Sequence, residues 1–410
     1  MIKKDYEILR RLGSEVASIA AHPVQEEKRG LWKMLNSLKP VRPMVMIDQI
    51  PWHEMNVDDE LTLLTEDPFC REIEERLRRT IYQWKHMRVD MVVEPFIEFE
   101  KQISGVDLGL KPVERTLAED PRNDIVSHSY VDQFRSEKDL EKIKPPEVFL
   151  DREKTSQIEA RANEIFDGIL EVKMQGALPW FAMWDRIVEW RGAENCITDL
   201  IERPEFIHML MQRVTDSCLA MLESLEEQGL LGYGQSLIHC TGAHSCELPA
   251  EGFDPAFPRA KDLWTCGMAQ IFSSVSPRMH KEFELDYAVR WYERFGLVYY
   301  GCCEPLHNKI DLLREIPNLR KISMSPWADI ERGAEQIGRD FVFSRKPNPA
   351  LLVTNSWNDK IIRQELRDTI EKCARYGCPL ELILKDISTV KYEPQRLWKW
   401  ADIAMDLVGA

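Results

Sequence analysis

The residue types best suited to chemistry are crowded into one short segment, residues 298–310. An apolar, aromatic run is followed there by Cys302, Cys303, Glu304 and His307. Cysteine, glutamate and histidine are all zinc ligands, which makes the segment a candidate metal site. The alternative is a pair of packed cysteines, since a free cysteine often behaves as a small buried hydrophobe.

The apolar run before these residues predicts a strand, and polar chemistry at the carboxyl end of a buried strand is typical of active sites in α/β barrels. Because side chains alternate along a strand, Tyr300, Cys302 and Glu304 are predicted to share one side. Ligand-type residues also follow other predicted strands, and the candidate metal ligands are His239, Cys302, Glu304 and Asp386. The alternatives are a hydrogen-bonded core histidine at 239 and an ion pair of Asp386 with Lys385 or Arg345.

The elements that must position these residues alternate between strand and helix. Strands are predicted near residues 44–47, 91–93, 230–240, 298–302, 320–325, 341–344 and 380–385. Such alternation favours a parallel α/β barrel over an open sheet. We therefore expect a (β/α)₈ TIM barrel over residues 41–410, preceded by a helical extension over residues 1–40. Residues 100–150 are too long for a bare loop, and we expect an insertion near the active-site mouth.

The composition excludes several classes of protein. The chain has 410 residues and a formal net charge of −15, which argues against nucleic-acid binding. No apolar run is long enough for a membrane helix, and the N-terminus lacks the apolar core of a signal peptide. Ten cysteines without a signal indicate reduced thiols and a cytoplasmic protein. No glycine-rich dinucleotide or phosphate loop is present.

Residues 165–407 resemble the uroporphyrinogen decarboxylase superfamily, which includes cobalamin-dependent methyltransferases. Residues 300–304 stand where zinc-containing members have a His-x-Cys-Gly-Asn pattern, and residues 344–352 stand where an Asn-x-x-Pro loop follows a later strand. Asp386 lies near the position of the last cysteine ligand. Tyr300 replaces the family's histidine, and the arginine-rich tetrapyrrole motif is absent. The resemblance therefore favours neither thiol methylation nor porphyrinogen decarboxylation.

What the resemblance implies instead is the first methyltransferase of an O-demethylase system. Such an enzyme moves a methyl group from an aryl methyl ether to the cob(I)alamin of a separate corrinoid protein. Zinc at the barrel mouth, or a carboxyl group with a raised pKa, would assist the leaving phenolate. Expected catalytic residues are Tyr300, Glu304 and Asp386, with Glu94 as a further acid. A homodimer is left open.

Several tryptophans follow predicted strands and suit a small aromatic substrate. The expected substrate-binding residues are Trp52, Trp180, Trp327 and Arg345. The alternative is that the tryptophans cap the barrel core and that Arg345 is paired. The alternative function is a lyase, similar to uroporphyrinogen decarboxylase, that acts on a smaller aromatic or pyrrole carboxylic acid. A third interpretation is a binding protein without catalysis.

Overall fold

The structure, a computed structural model, describes residues 2–117 and 127–409 of a mixed α/β protein. Its strands are β1 Met44–Ile47, β2 Phe96–Glu100, β3 Ile103–Ser104, β4 Glu114–Leu117, β5 Ser127–Tyr130, β6 Phe149–Leu150, β7 Glu171–Gln175, β8 Leu237–Ile238, β9 Thr241–Gly242, β10 Trp264–Gly267, β11 Leu297–Tyr300, β12 Leu319–Met324, β13 Val342–Arg345 and β14 Leu380–Leu384. Its helices are α1 Ile2–Ala20, α2 Val24–Asn36, α3 Pro68–His86, α4 Arg152–Phe166, α5 Met183–Arg191, α6 Ala193–Glu202, α7 Pro204–Glu227, α8 Pro277–His280, α9 Asp286–Tyr292, α10 Ile310–Leu313, α11 Ile330–Ile337, α12 Asp359–Tyr376 and α13 Gln395–Val408. Within the described ranges, no helix has the length and apolarity needed to span a bilayer.

Helix boundaries follow local capping chemistry. Asp67 accepts a hydrogen bond from the amide of Cys70, and Pro68 occupies the first turn of α3. Asn358 caps α12 in the same way, and Gly377 ends that helix in the left-handed conformation. These sequence signals therefore fix where α3 and α12 begin and where α12 ends.

Six parallel strands form the main sheet, in the order β1-β14-β13-β12-β11-β10. A separate parallel pair joins β2 to β7. Phe181 forms a parallel bridge to Gly267, and the amide of Asp90 donates to the carbonyl of Val45 at 2.9 Å. These two links join the segments before β2 and after β7 to the edges of the main sheet. The predicted strand at 44–47 is confirmed, but the described residues do not form the continuous closed ladder expected of a (β/α)₈ barrel.

Two predicted strands are wrong. Residues 91–93 are irregular, because side chains of α2 form hydrogen bonds with backbone groups in and near this segment that would otherwise pair with a neighbouring strand. Lys28 Nζ donates to the carbonyl of Val89 at 2.6 Å, and the amide of Val93 donates to Gln25 Oε1 at 3.0 Å. Residues 230–240 contain glycines that weaken a strand, and the segment folds instead into the antiparallel hairpin β8–β9, residues 237–242.

This hairpin, called the inner hairpin below, packs against the inner face of the main sheet. Cys240 lies in a cluster with Met44, Met46 and Ile383. The intervening residue Val45 belongs instead to the large core under the surrounding helices, as strand alternation requires. The inner hairpin therefore fills the space that the strands enclose and carries its turn toward their carboxyl ends.

The N-terminal helices are part of this packing. Trp32 of α2 is buried beneath the inner hairpin, in the same cluster as Cys240. Helix α1 packs with α3 and α4 in a second core. The predicted boundary at residue 40 lies in the irregular segment between α2 and β1. The expected insertion contains the hairpin β4–β5, while its residues 118–126 lie outside the described part of the chain.

Candidate functional site

The candidate site is built on a turn at the carboxyl end of β11. Gly301 has a φ of 96°, and a Cβ there would lie 2.5 Å from Leu306, so only glycine fits this turn. The turn carries Cys302 into the inner cluster that contains Tyr299. Tyr300 belongs to the outer core. The predicted sharing of one side by Tyr300 and Cys302 is therefore wrong, because β11 ends at Tyr300.

Cys302 is only 6% exposed and is surrounded by polar partners. Lys385 Nζ donates to its Sγ at 2.9 Å, and His239 Nε2 lies 3.3 Å from the same atom. The Cys303 and Cys302 sulfur atoms are 3.4 Å apart. Asp386 Oδ2 accepts a hydrogen bond from the Cys303 thiol at 3.3 Å. These five residues are called the Cys302 cluster below.

The electrostatics of the Cys302 cluster favour one thiolate. Contact with the Cys303 sulfur lowers the pKa of Cys302, and His239 and Lys385 act in the same direction against the opposing effect of burial. The same contact and burial raise the pKa of Cys303. Burial opposes the charge on Lys385, but Cys302, Cys240 and Cys303 together outweigh it and raise the pKa of that ammonium. The geometry therefore corresponds to a buried thiolate paired with an ammonium.

Strained turns place the remaining members of the Cys302 cluster. His239 has a φ of 53° at the tip of the inner hairpin, and Asp386 has a φ of 56° just after β14. The amide of Asp386 donates to Gln49 Oε1 at 3.0 Å. The Trp180 ring meets the His239 ring edge-on, with centroids 5.5 Å apart. Non-glycine residues in the left-handed region are uncommon and concentrate at functional sites.

Glu304 is adjacent to the Cys302 cluster but faces backbone amides. It is 1% exposed, and its two oxygens accept from the amides of Cys302 at 2.6 Å and Ala269 at 3.0 Å. Burial raises the pKa of Glu304 to about 7. The side chain therefore holds the turn that carries Cys302.

Two other predicted site residues lie away from the Cys302 cluster. The Tyr300 hydroxyl is 2.7 Å from His280 Nε2 and donates to Glu284 Oε2 at 3.2 Å. Arg345 is buried and donates to the carbonyl of Ser325 at 2.5 Å. Burial raises the pKa of Tyr300 and lowers the pKa of Arg345.

The arrangement does not fit the predicted zinc site. Across residues 2–117 and 127–409, no group of three or more His, Cys, Asp or Glu side chains is arranged to hold a metal ion. Among the side chains of the four predicted ligands, only those of His239 and Cys302 lie within hydrogen-bonding distance of each other. The Lys385 ammonium lies where a cation beside Cys302 would lie, and Glu304 is engaged by amides. Zinc therefore stays a prediction, and no step below depends on it.

Two cavities lie near the Cys302 cluster, the first through Asp386 and the second through Trp180, whose ring contacts His239. One of about 870 Å³ is lined by Trp52, Gln49 and Asp386. The other, of about 630 Å³, is lined by Trp180, Asp185 and part of the 100–150 insertion. Trp52 and Trp180 therefore line different cavities, while the Trp327 side chain is 76% exposed. Pockets with apolar walls and a few polar groups suit small organic ligands.

Sequence reasoning missed Lys385 as a member of the site, and it named Cys303 in the candidate segment without including it among the four ligands. Lys385 was weighed only as an ion-pair partner of Asp386, at a distance that proves to be 3.7 Å. A signal was present, because Glu381, Ile383 and Lys385 alternate with residues of the outer core. An inward lysine at the end of a buried strand is rarely left unpaired, and its partner is Cys302.

No protein-family model matches the chain, and no curated protein matches it. Among solved structures, a methyltransferase from Methanosarcina mazei matches with a TM-score of 0.49 and 11% sequence identity, over 93% of this chain and 98% of that chain. At that level of similarity the match carries no argument about function, which is argued below from the site.

Proposed function

We propose that the protein is a methyltransferase. In its specific form, the proposal is that it moves a methyl group from an aryl methyl ether to the cob(I)alamin of a separate corrinoid protein. The observation that carries the proposal is the placement of Lys385 and His239 against Cys302, beside the indole ring of Trp180. This placement brings the ammonium of Lys385 and the imidazole of His239 together near the flat, apolar indole ring of Trp180.

The chemistry requires stabilisation of a poor leaving group. An aryl ether releases its methyl group as the oxygen becomes a phenolate, and a fixed positive charge near that oxygen lowers the barrier. Lys385 Nζ supplies the charge, and His239 Nε2 supplies a proton to the oxygen. The Cys302 thiolate balances both groups before substrate arrives. The aromatic ring of the substrate packs against Trp180.

The corrinoid would be presented at the carboxyl ends of the strands. When bound there, its cobalt centre supplies the nucleophile for the methyl carbon. Asp386 is exposed and Cys303 is partly exposed at this end of the sheet, so the Cys302 cluster is accessible to a partner. Trp327 follows β12 at the same end and is itself exposed.

An anaerobic assay tests the proposal. Cob(I)alamin or its corrinoid protein is mixed with a panel of methoxylated aromatic compounds, and methylation is followed by the absorbance change. Lys385→Met should lower kcat by about 100-fold or more, because the charge next to the leaving oxygen is lost. Lys385→Arg should retain part of the activity, since it keeps that charge.

Trp180→Leu should raise KM about tenfold, because one wall of the substrate cavity is lost. Trp327→Leu is the matched control, since its ring is 76% exposed, and its KM should stay close to that of the wild type. Transfer that is equal in the wild type and Lys385→Met would reject the proposed mechanism. Release of carbon dioxide from an aromatic acid without corrinoid would instead select the lyase.

A further inference from the structure

The cavity lined by Trp180, called the Trp180 cavity below, contains a carboxylate that the proposed methyl transfer does not use. The cavity has a volume of about 630 Å³, and its wall is mainly apolar, with Leu178, Met183 and Leu225 among its residues. Asp185 lines the same cavity and is partly buried. A few fixed polar groups in a mainly apolar pocket set the orientation and the selectivity of a small ligand.

The carboxylate of Asp185 is held in place by Gln270. Asp185 lies in the first turn of α5. Its Oδ2 accepts from the side-chain amide of Gln270 at 2.8 Å, and its Oδ1 accepts from the backbone amide of the same residue at 3.2 Å. A carboxylate offers about four acceptor positions, so the two oxygens have capacity left for a ligand. The neighbouring Arg186 pairs instead with Glu189, at 2.8 Å.

The Trp180 cavity adjoins the proposed reaction centre. Ala182 lines this cavity and also packs against the buried residues around Cys302. The Trp180 ring meets the His239 ring edge-on, with centroids 5.5 Å apart. A substrate ring that packs against Trp180 therefore lies next to the Cys302 cluster, inside a cavity that offers the Asp185 carboxylate as a hydrogen-bond acceptor.

We propose that Asp185 is a specificity-determining residue, which accepts a hydrogen bond from a phenolic hydroxyl group on the methoxylated ring. The substrate class is then the methoxyphenols. This inference rests on the proposed function, from which it takes the aryl methyl ether. A neutral donor fits better than an ammonium group, because the methoxy oxygen of the same substrate faces the ammonium of Lys385 in the proposed chemistry.

The physical basis of the selectivity is the desolvation of a carboxylate. A ring that fills the Trp180 cavity displaces water from Asp185, and a hydroxyl group on that ring replaces the lost hydrogen bond with a charge-assisted one. A ring with a methyl group at that position displaces the same water and gives nothing in return. The hydroxyl group should therefore strengthen binding by about 10- to 100-fold.

Binding calorimetry on the full chain, without corrinoid, tests the inference. The probes are the three isomers of methoxyphenol, and each is compared with the methoxytoluene of the same substitution pattern. A methyl group is close to a hydroxyl group in size, so each pair differs mainly in the hydrogen bond. At least one methoxyphenol should have a Kd lower than that of its methoxytoluene by about 10- to 100-fold.

Two variants assign the preference to one carboxylate. Asp185→Asn should reduce the preference to about threefold or less, because the charged acceptor is lost. Its affinity for the methoxytoluenes should not fall, whereas a merely structural role of Asp185 would lower the affinity for both series. Glu189→Gln is the matched control, since Glu189 lines the same cavity but is paired with Arg186, and it should keep the wild-type preference.

Thermal unfolding checks that each variant is folded, and the wild-type comparison decides the inference even if Asp185→Asn is not. Equal affinity of the wild type for both members of every pair, or no binding of any probe, would overturn it. A folded Asp185→Asn variant that keeps the preference would overturn it as well. Selective binding without methyl transfer to cob(I)alamin would instead reject the proposed function and leave the recognition of the hydroxyl group in place.

Discussion

The substitution Glu304→Gln removes the ionisable group of a buried carboxyl side chain and keeps nearly the same shape. Glu304 has no room to hydrate, and its two oxygens hold the amides of Cys302 and Ala269. Glutamine has one carbonyl oxygen, so one of these amides faces an NH₂ group instead of an acceptor. Leaving one buried donor without an acceptor costs about 1–3 kcal/mol. At pH 5, the variant should be less stable than the wild type by that amount.

The difference should shrink as the pH rises. The pKa of Glu304 is raised from its ordinary 4.5 to about 7 in the folded protein, so the folded state holds this proton more tightly than the unfolded state. The resulting stabilisation is fully present below pH 4.5 and is lost as the pH rises through 7. This change is worth roughly 3 kcal/mol in the wild type. This pH-dependent change is absent in the variant, whose unfolding free energy should equal or exceed that of the wild type at pH 8.

Urea unfolding at pH 5, 6, 7 and 8 measures the effect. Between pH 5 and 8, the wild type should lose roughly 2.5 kcal/mol more unfolding free energy than Glu304→Gln. Glu153→Gln, at an exposed position in the first turn of α4, is the control and should follow the wild type within about 0.5 kcal/mol. Parallel pH profiles for the wild type and Glu304→Gln would refute the reasoning.

Three further predictions, two of them with a matched variant, test the packing. Gly242→Ala would place a Cβ 2.4 Å from an indole ring and should lower the unfolding free energy by about 1–3 kcal/mol; Gly30→Ala, with open space around its Cβ, should raise it by about 0.5–1 kcal/mol. Lys321 Nζ lies 2.7 Å from Glu381 Oε2, so Glu381→Ala would leave the buried ammonium without a carboxylate partner. This variant should lose about 3–5 kcal/mol of unfolding free energy in urea. The double replacement Lys321→Met with Glu381→Leu should recover most of that loss. Trp327→Ala should change the melting temperature little, since its ring is 76% exposed.

The local pattern of the sequence determined much of the secondary structure in the C-terminal half. Apolar runs bounded by proline, glycine and polar residues marked β11 to β14 close to their observed bounds, because these strands are buried on both faces. The strand at 44–47 was located for the same reason. Cys302 and His239 were also singled out from sequence, since ligand-type residues next to predicted strand ends are few, and the structure brings the two side chains into contact.

Only the tertiary structure decided which side chains meet. The left-handed turn at Gly301 moved Cys302 to the side opposite Tyr300, and strand alternation contains no information about where a strand ends. His239 reaches Cys302 because the inner hairpin folds into the enclosed face of the sheet, where a regular strand was predicted. The contact between Lys385 and Cys302 joins residues 83 positions apart. It depends on the order of β11 and β14 in the sheet, which local patterns do not specify because that order is set by long-range packing.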